Sequence, residues 1–369
     1  MKKLIFHPGF HKTGTTALQQ ALTEARKELK VSDFNYPNTR GKAHHSAAWA
    51  ITQKTWGWEK RGGRLINSDE WEKLEKKIAS SDKTSIISSE FFSTADPLQL
   101  TKLGQHLKDY DTKVIFTWRP LPFMLASSYQ QYLKYGVRVS YKKWLVEMFE
   151  NSESTKMTPS FWKRNHHGDV IESWIKVFGS QNVSLIAVDE SKPDFLYESF
   201  AELAGIPSGV LTKPKAKEIN RSLTFNEAAL LLEINKRYPK DGDWDSYSTF
   251  IRSGNIKALT SSEIICQSDE KIMTPQWALD RAIEINSQSV AKIKSLGIEI
   301  IGDLDRSDFS KIPVGVNTPV TTISIETAAR AMIGVNMKSL RRMPSSAIVR
   351  EFKKRLRKRI KRTVRIKLR

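Results

Sequence analysis

The sequence predicts an α/β fold in which helices flank a central parallel sheet and a helical C-terminal portion follows. Three observations predict it. Short, uninterrupted apolar runs recur along the first half of the chain, as suits strands buried on both faces. Stretches with apolar residues at helical spacing separate those runs. Beyond about residue 220 the strand signal fades and helical spacing continues.

The first strand is KKLIF, Lys2–Phe6. A turn with Pro8, Gly9 and Gly14 leads into Thr15–Lys30, where Ala17, Leu18, Ala21, Leu22, Ala25 and Leu29 line one helical face. Residues 31–67 read as irregular and hold YPNTRGKAHHSAAWA, Trp56, Trp58 and a KRGGR turn. Asp69–Ala79 reads as helix, Thr84–Glu90 as strand, Pro97–Lys108 as helix, Thr112–Trp118 as strand and Phe123–Tyr135 as helix. Asp169–Phe178 reads as a helix with Asp169 and Glu172 as its capping pair and Gly179 as its stop. Asn182–Val188 follows as strand, and a further helix runs to Ala204. Phe225–Tyr238 and Pro275–Leu296 are the best helices of the later part, and no internal repeat is visible. The chain thus divides into a core of residues 1–220, a helical portion 221–340 and a basic tail 341–369.

With 369 residues, 39% of them apolar, the chain is long and apolar enough for a folded core. Its single cysteine, Cys266, excludes an internal disulfide, and seven histidines argue against a structural zinc site. The N-terminal apolar run stops at His7-Pro8, too short for a signal peptide, and no stretch reaches the roughly 18 apolar residues of a membrane span. The expected location is the cytoplasm. The net charge of +20 is unevenly placed, because residues 341–369 hold 14 Lys or Arg against one acid, Glu351.

The segment His7–Gln19 reads HPGFHKTGTTALQ. A Walker A loop places its lysine directly after the second glycine, whereas Lys12 stands two residues before Gly14. The strand–loop–helix context still makes an anion cradle from helix N-terminal N–H groups, with hydroxyls from Thr13, Thr15 and Thr16. Ligands of open parallel sheets collect at the carboxyl ends of the strands. That gathers this loop, SSEFF after the second strand, and WRPLPFMLASSYQQY after the third. Arg119 leaves the third strand, Ser127 lies eight residues on, and Tyr129 follows. A cation and a hydroxyl brought to one place suit a second phosphate, which ATP does not require.

Here a resemblance appears. FHKTGTTALQ is similar to the 5′-phosphosulfate loop of sulfotransferases that use 3′-phosphoadenosine 5′-phosphosulfate (PAPS), and Arg119 with Ser127 and Tyr129 resembles their R-x7-S-x-Y 3′-phosphate motif. The similarity runs over residues 1–207, including ESWIKVFGSQNVSLIAVDE and LYESFAELAGIP, and resembles bacterial members. Where the family follows the arginine with Asp or Asn and then Pro, this chain has Pro120, Leu121 and Pro122, so a remodelled turn is expected. The resemblance implies a P-loop nucleotide-binding fold, PAPS as donor with 3′,5′-ADP as product, no metal, and in-line sulfuryl transfer to a hydroxyl or amine. Lys12 is then a cation aimed at the bridging oxygen, and His11, Lys12, Thr13, Gly14, Thr15, Thr16, Arg119 and Ser127 bind the cofactor. A third cofactor contact falls at Asn220 or Arg221, in KEINRSL.

A general base must take the acceptor's proton, and the candidates are Glu90 and His45, or its neighbour His44. His166-His167 lacks metal spacing, since adjacent residues of a helix point apart. Trp56 and Trp58 either line an acceptor groove or anchor loops into the core. The bacterial resemblance implies a carbohydrate, glycolipid or other envelope acceptor. In the tail, Ile348, Phe352, Leu356 and Ile360 recur every four residues among basic side chains, which predicts a basic amphipathic helix docking on an anionic membrane surface. Two other readings compete. A P-loop nucleotide kinase or NTPase lacks the lysine after Gly14, and a nucleic-acid-binding protein lacks interleaved basic and aromatic residues in its body.

Overall fold

The structure is a computed structural model that describes residues 1–39, 41–151, 157–215, 221–261 and 270–342, with 349, 352 and 353. The expectations for Cys266, Asn220 and the tail helix lie outside the described residues, apart from Phe352. The central sheet has six strands. In chain order they are β1 (Lys2–His7), β2 (Phe34–Asn35), β5 (Thr84–Ser88), β6 (Tyr110–Trp118), β7 (Val183–Ala187) and β8 (Glu299–Ile301), while β3 (Thr55–Trp56) and β4 (Arg64–Leu65) form a separate antiparallel pair. The order across the sheet is β2-β5-β1-β6-β7-β8, and every pairing is parallel.

Alternation along the strands explains why both faces are covered. Leu4, Phe6, Val114, Phe116, Val183 and Leu185 point to one face and pack with Trp71 and Trp174. Ile5, Ile86, Ile115 and Ile186 point to the other, against Leu18 and Leu22 of the Thr15–Glu24 helix and Phe200 of Phe195–Ala204. A third apolar cluster joins the Leu125–Leu133 and Tyr141–Glu150 helices to Phe225–Arg237 and Gln276–Ser295.

Several local expectations are corrected. The helix expected over Thr15–Lys30 breaks at Ala25 into Thr15–Glu24 and Arg26–Val31. The stretch read as irregular contains a helix, His45–Thr52. The second strand stops at Ser88, because the Ser89 side chain accepts from the Phe91 N–H and turns Glu90–Thr94 into a 3₁₀ helix. Asp169 and Glu172 do not cap their helix, which starts at His167; both bind the Lys292 ammonium, at 2.5 and 3.0 Å. Gly179 does stop that helix, with φ +82°.

The part beyond residue 220 is helical but also supplies the edge strand β8. Tyr247–Ile256 is a π-helix, and it crosses the Ile325–Arg342 helix at Gly254 and Gly334. A Cβ on Gly334 would lie 2.5 Å from the Gly254 carbonyl oxygen, so the two backbones touch directly.

Candidate active site

The parallel register sets β1, β5 and β6 side by side, so the loop after β1, the Glu90–Thr94 turn after β5 and Arg119 after β6 open on one edge of the sheet. Gly14 sits at φ +87°, a left-handed conformation, immediately before the Thr15–Glu24 helix. That helix has no side-chain cap, which leaves its first N–H groups for a ligand. A Cβ at Gly14 would meet Leu196 at 2.8 Å, so the loop is held close against the neighbouring helix. Lys12 also lies in the left-handed region, at φ +68°, where a non-glycine residue costs about 1–2 kcal/mol.

The loop is fastened from beneath by buried hydroxyls and a histidine. Thr13 Oγ1 donates to the Phe10 carbonyl at 2.7 Å, so Thr117, also 2.7 Å away, must donate to Thr13. Thr117 then accepts from His7 Nε2 at 3.3 Å, and His7 Nδ1 accepts from Ser88 Oγ at 2.8 Å. Burial pushes His7 down to about 3, so it stays neutral and can play both roles. The Thr13 hydroxyl is therefore spent inside the protein, and the expectation that it faces the anion is corrected. Thr15 is buried and Thr16 exposed, and no described residue hydrogen-bonds either hydroxyl.

Above this floor the Lys12 ammonium lies 3.3 Å from Gln131 Oε1. Burial lowers its affinity for a proton; Glu90 opposes that effect, while Arg164 and Arg119 add to it. His11 stacks edge-on against Phe91 at 5.1 Å, and its Nε2 is buried with no hydrogen-bond partner. Burial and, after it, the positive charge of Arg164, Lys12 and Lys54 hold it well below the ordinary histidine range.

Glu90 and His45 come together. Glu90 Oε2 accepts from Gln19 Nε2 at 3.0 Å and lies 3.9 Å from His45 Nδ1, which is 2.8 Å from Ser89 Oγ. Burial lowers His45, while Glu90 raises it. Nothing among the described residues hydrogen-bonds His45 Nε2. By contrast His44 is buried, with Nε2 donating to the Pro37 carbonyl at 3.0 Å and Nδ1 accepting from the Ser88 N–H at 3.0 Å. Both nitrogens are consumed, which removes His44 as a base.

The residues expected to form a second anion contact are already engaged within the protein. Arg119 donates to the Lys12 carbonyl at 3.2 Å and to Glu190 at 2.7 Å, and lies over the Phe123 ring at 5.8 Å. Arg306, from the segment after β8, lies over the same ring at 5.4 Å and binds Asp189 at 3.4 Å. Leu121–Met124 turns as a 3₁₀ segment after Pro120, with the Leu121 N–H donating to Asn286 Oδ1. Ser127 donates to the Met124 carbonyl at 3.0 Å, about one turn before Gln131 on the same helix. Tyr129 is buried and donates to the Val139 carbonyl, so its role is packing.

The third contact expected at Arg221 is corrected. That guanidinium makes a two-pronged ion pair with the fully buried Glu227, both bonds at 2.7 Å. Trp58 anchors a loop: its Nε1 donates to the Tyr135 carbonyl at 2.8 Å, and its ring packs on Trp244 and Tyr247. His167 is buried against Phe10, whereas the exposed His166 packs on Trp162. Among the described residues no group of three or more His, Cys, Asp or Glu is placed to hold a metal ion.

Gln19, Gln131, Glu190, Arg306, Arg164 and Lys54 were not singled out by the sequence. Their only shared signal is a polar side chain beside an apolar helix or strand end, which many surface residues share.

No protein-family model and no curated protein sequence matches the chain. Among solved structures, the fold is similar to a crystal structure of a sulfotransferase from Alicyclobacillus acidocaldarius, with a TM-score of 0.44 and 16% identity over 67% of this chain and 99% of that one. Likeness at this distance fixes neither activity nor cofactor.

Proposed function

We propose that this protein is a PAPS-dependent sulfotransferase acting on a hydroxyl or amine of a carbohydrate or glycolipid. The observation that carries the reading is the split cation set. Lys12 stands within the loop and Arg119 at the end of β6, and the guanidinium of one donates to the carbonyl of the other. A donor with a 5′-phosphosulfate and a 3′-phosphate needs two such cations, whereas ATP needs its lysine after Gly14.

The residues suit the donor on three counts. The uncapped helix start offers N–H groups, Gly14 permits a close approach, and Lys12 adds a cation within the loop. PAPS supplies a sulfuryl group whose bridging oxygen gains charge as the S–O bond breaks. Lys12 stabilises that charge from a fixed position, which is the largest catalytic effect such a site can offer. Arg119 and Arg306, flanking Phe123, hold the 3′-phosphate after Glu190 is displaced, and Ser127 adds a hydroxyl. Ser89 accepts from His45 Nδ1 at 2.8 Å with the Glu90 carboxylate 3.9 Å from the same nitrogen, so His45 Nε2 takes the acceptor's proton.

Thermal shift tests the reading. At 100 times its Kd, 3′,5′-ADP adds about 2.7 kcal/mol of stability. Greater stabilisation by ATP with Mg²⁺ would instead support a kinase or NTPase.

A further inference from the structure

Beside Lys12 and His11 lie cations that the transfer step does not use, Arg164 and Lys54. The Glu90–Thr94 turn organises them. Lys54 Nζ donates to the Thr94 carbonyl at 2.8 Å, and the Ser160–Asn165 helix, which carries Arg164, packs on the same turn. Arg164 lies over the Tyr132 ring at 5.9 Å, and its Nε is buried without a hydrogen-bond partner. Phe91, from that turn, contacts the rings of His11, His45 and Trp49 at 5.1, 4.9 and 4.8 Å.

The charges around this corner are one-sided. Arg164 depresses Lys12, His11 and Lys54, and Lys163 adds to the effect on Lys54, which burial brings down to about 7. The acids opposing these cations are Glu90 and Asp96, and the Asp96 carboxylate already caps a helix at Gln99. Among the described residues no carboxylate pairs with Arg164 or Lys54. Arg164 is half-buried, and its buried Nε lacks a partner; an anion arriving with a ligand is the natural complement of a guanidinium so placed. Tyr132, Phe91 and Trp49 add flat faces of the kind that pack on sugar rings.

We propose that the acceptor is an acidic carbohydrate, with a carboxylate or sulfate next to its reacting group held between Arg164 and Lys54. The inference rests on the sulfotransferase reading for the word acceptor, but the anion contact itself stands on the geometry of this corner. It also gives the reaction a direction: the acceptor is already charged when it arrives, so an earlier oxidation or sulfation of the sugar must precede this step.

Isothermal titration on the full chain saturated with 3′,5′-ADP tests it. The probes are a hyaluronan tetrasaccharide, its carboxyl-reduced counterpart, and a chondroitin sulfate tetrasaccharide. At least tenfold tighter binding of one or both acidic probes over the reduced one is the expected result, and which of them leads separates carboxylate from sulfate. Arg164→Gln and Lys54→Ala should each remove most of that preference while leaving 3′,5′-ADP affinity within about twofold. Equal binding of all three probes overturns the proposal, as does a preference that survives in both variants. Loss of 3′,5′-ADP affinity in Arg164→Gln would assign this corner to the nucleotide instead. Failure of the unmodified chain to bind 3′,5′-ADP would overturn the sulfotransferase reading, while the probe preference, measured without nucleotide, would still decide the anion site.

Discussion

The guanidinium of Arg119 is bound to the Glu190 carboxylate at 2.7 Å, so the residue best placed for a 3′-phosphate already holds an anion of the protein's own. Glu190 is 58% exposed, and such a pair is worth about 0–1 kcal/mol. Glu190→Gln should therefore tighten 3′,5′-ADP by at most about fivefold and leave 5′-AMP unchanged. Arg119→Ala should bring the two nucleotides to similar affinity. Titration calorimetry of both nucleotides on both variants decides the point, and a preference for 3′,5′-ADP that persists in Arg119→Ala would sink the assignment.

Removal of the loop cation should act on rate. Lys12→Ala is expected to lower kcat by about 10²–10³ with a smaller effect on nucleotide affinity. The base is best tested as a pair: Glu90→Gln and His45→Ala should each slow transfer, and the double variant should be little slower than the worse single one. Additive losses would mean that the two residues act independently.

Acid should weaken the fold through histidines that fold neutral. His7 and His167 are pushed down to about 3 and His44 to about 4, each mainly by burial. In the unfolded chain the same groups take up protons near 6.5. Between about pH 6.5 and 4 the unfolded state binds more protons, so stability falls as pH falls, by up to about 1.4 kcal/mol per unit for each histidine. Thermal melts of wild type and of His44→Gln across that window measure the slope, which should be shallower in the variant. Thr13→Val, which leaves Thr117 and the Phe10 carbonyl unserved, should cost about 1–3 kcal/mol at neutral pH.

For the proposed docking of residues 341–369 on an anionic inner-membrane face, cosedimentation gives the answer. The full chain should pellet with anionic vesicles, lose that binding as salt rises, and ignore neutral vesicles. A version ending at Met343 should not pellet. Equal behaviour of the two would remove the membrane role, and tighter salt-dependent binding to duplex DNA would favour nucleic acid.

What the sequence disclosed and what it withheld follow one physical division. β1, β6 and β7 announce themselves because burial on both faces writes an unbroken apolar run, and the loop because its glycine precedes a helix. β8 is three residues long and too short to carry a pattern, and His45–Thr52 hides between turn-forming residues. Within the site, residue type was legible but commitment was not. Thr13, His44 and Arg221 have the right chemistry, yet Thr117, Ser88 and Glu227 satisfy them, two of these from distant parts of the chain. Arg164 was invisible for the converse reason, because nothing in a lone arginine of a short helix signals that its Nε will be buried without a partner.

The bare backbone crossing of Gly254 on Gly334 has a mechanical consequence. With no side chains between them, the two helices cannot roll on one another as a cushioned pair would, so the Ile325–Arg342 helix leaves the body at a fixed azimuth. The π-helix on the other side of the joint places Arg252 over Tyr135 at 4.3 Å. Any side chain larger than glycine at either position would have to wedge the two backbones apart before these helices could pack.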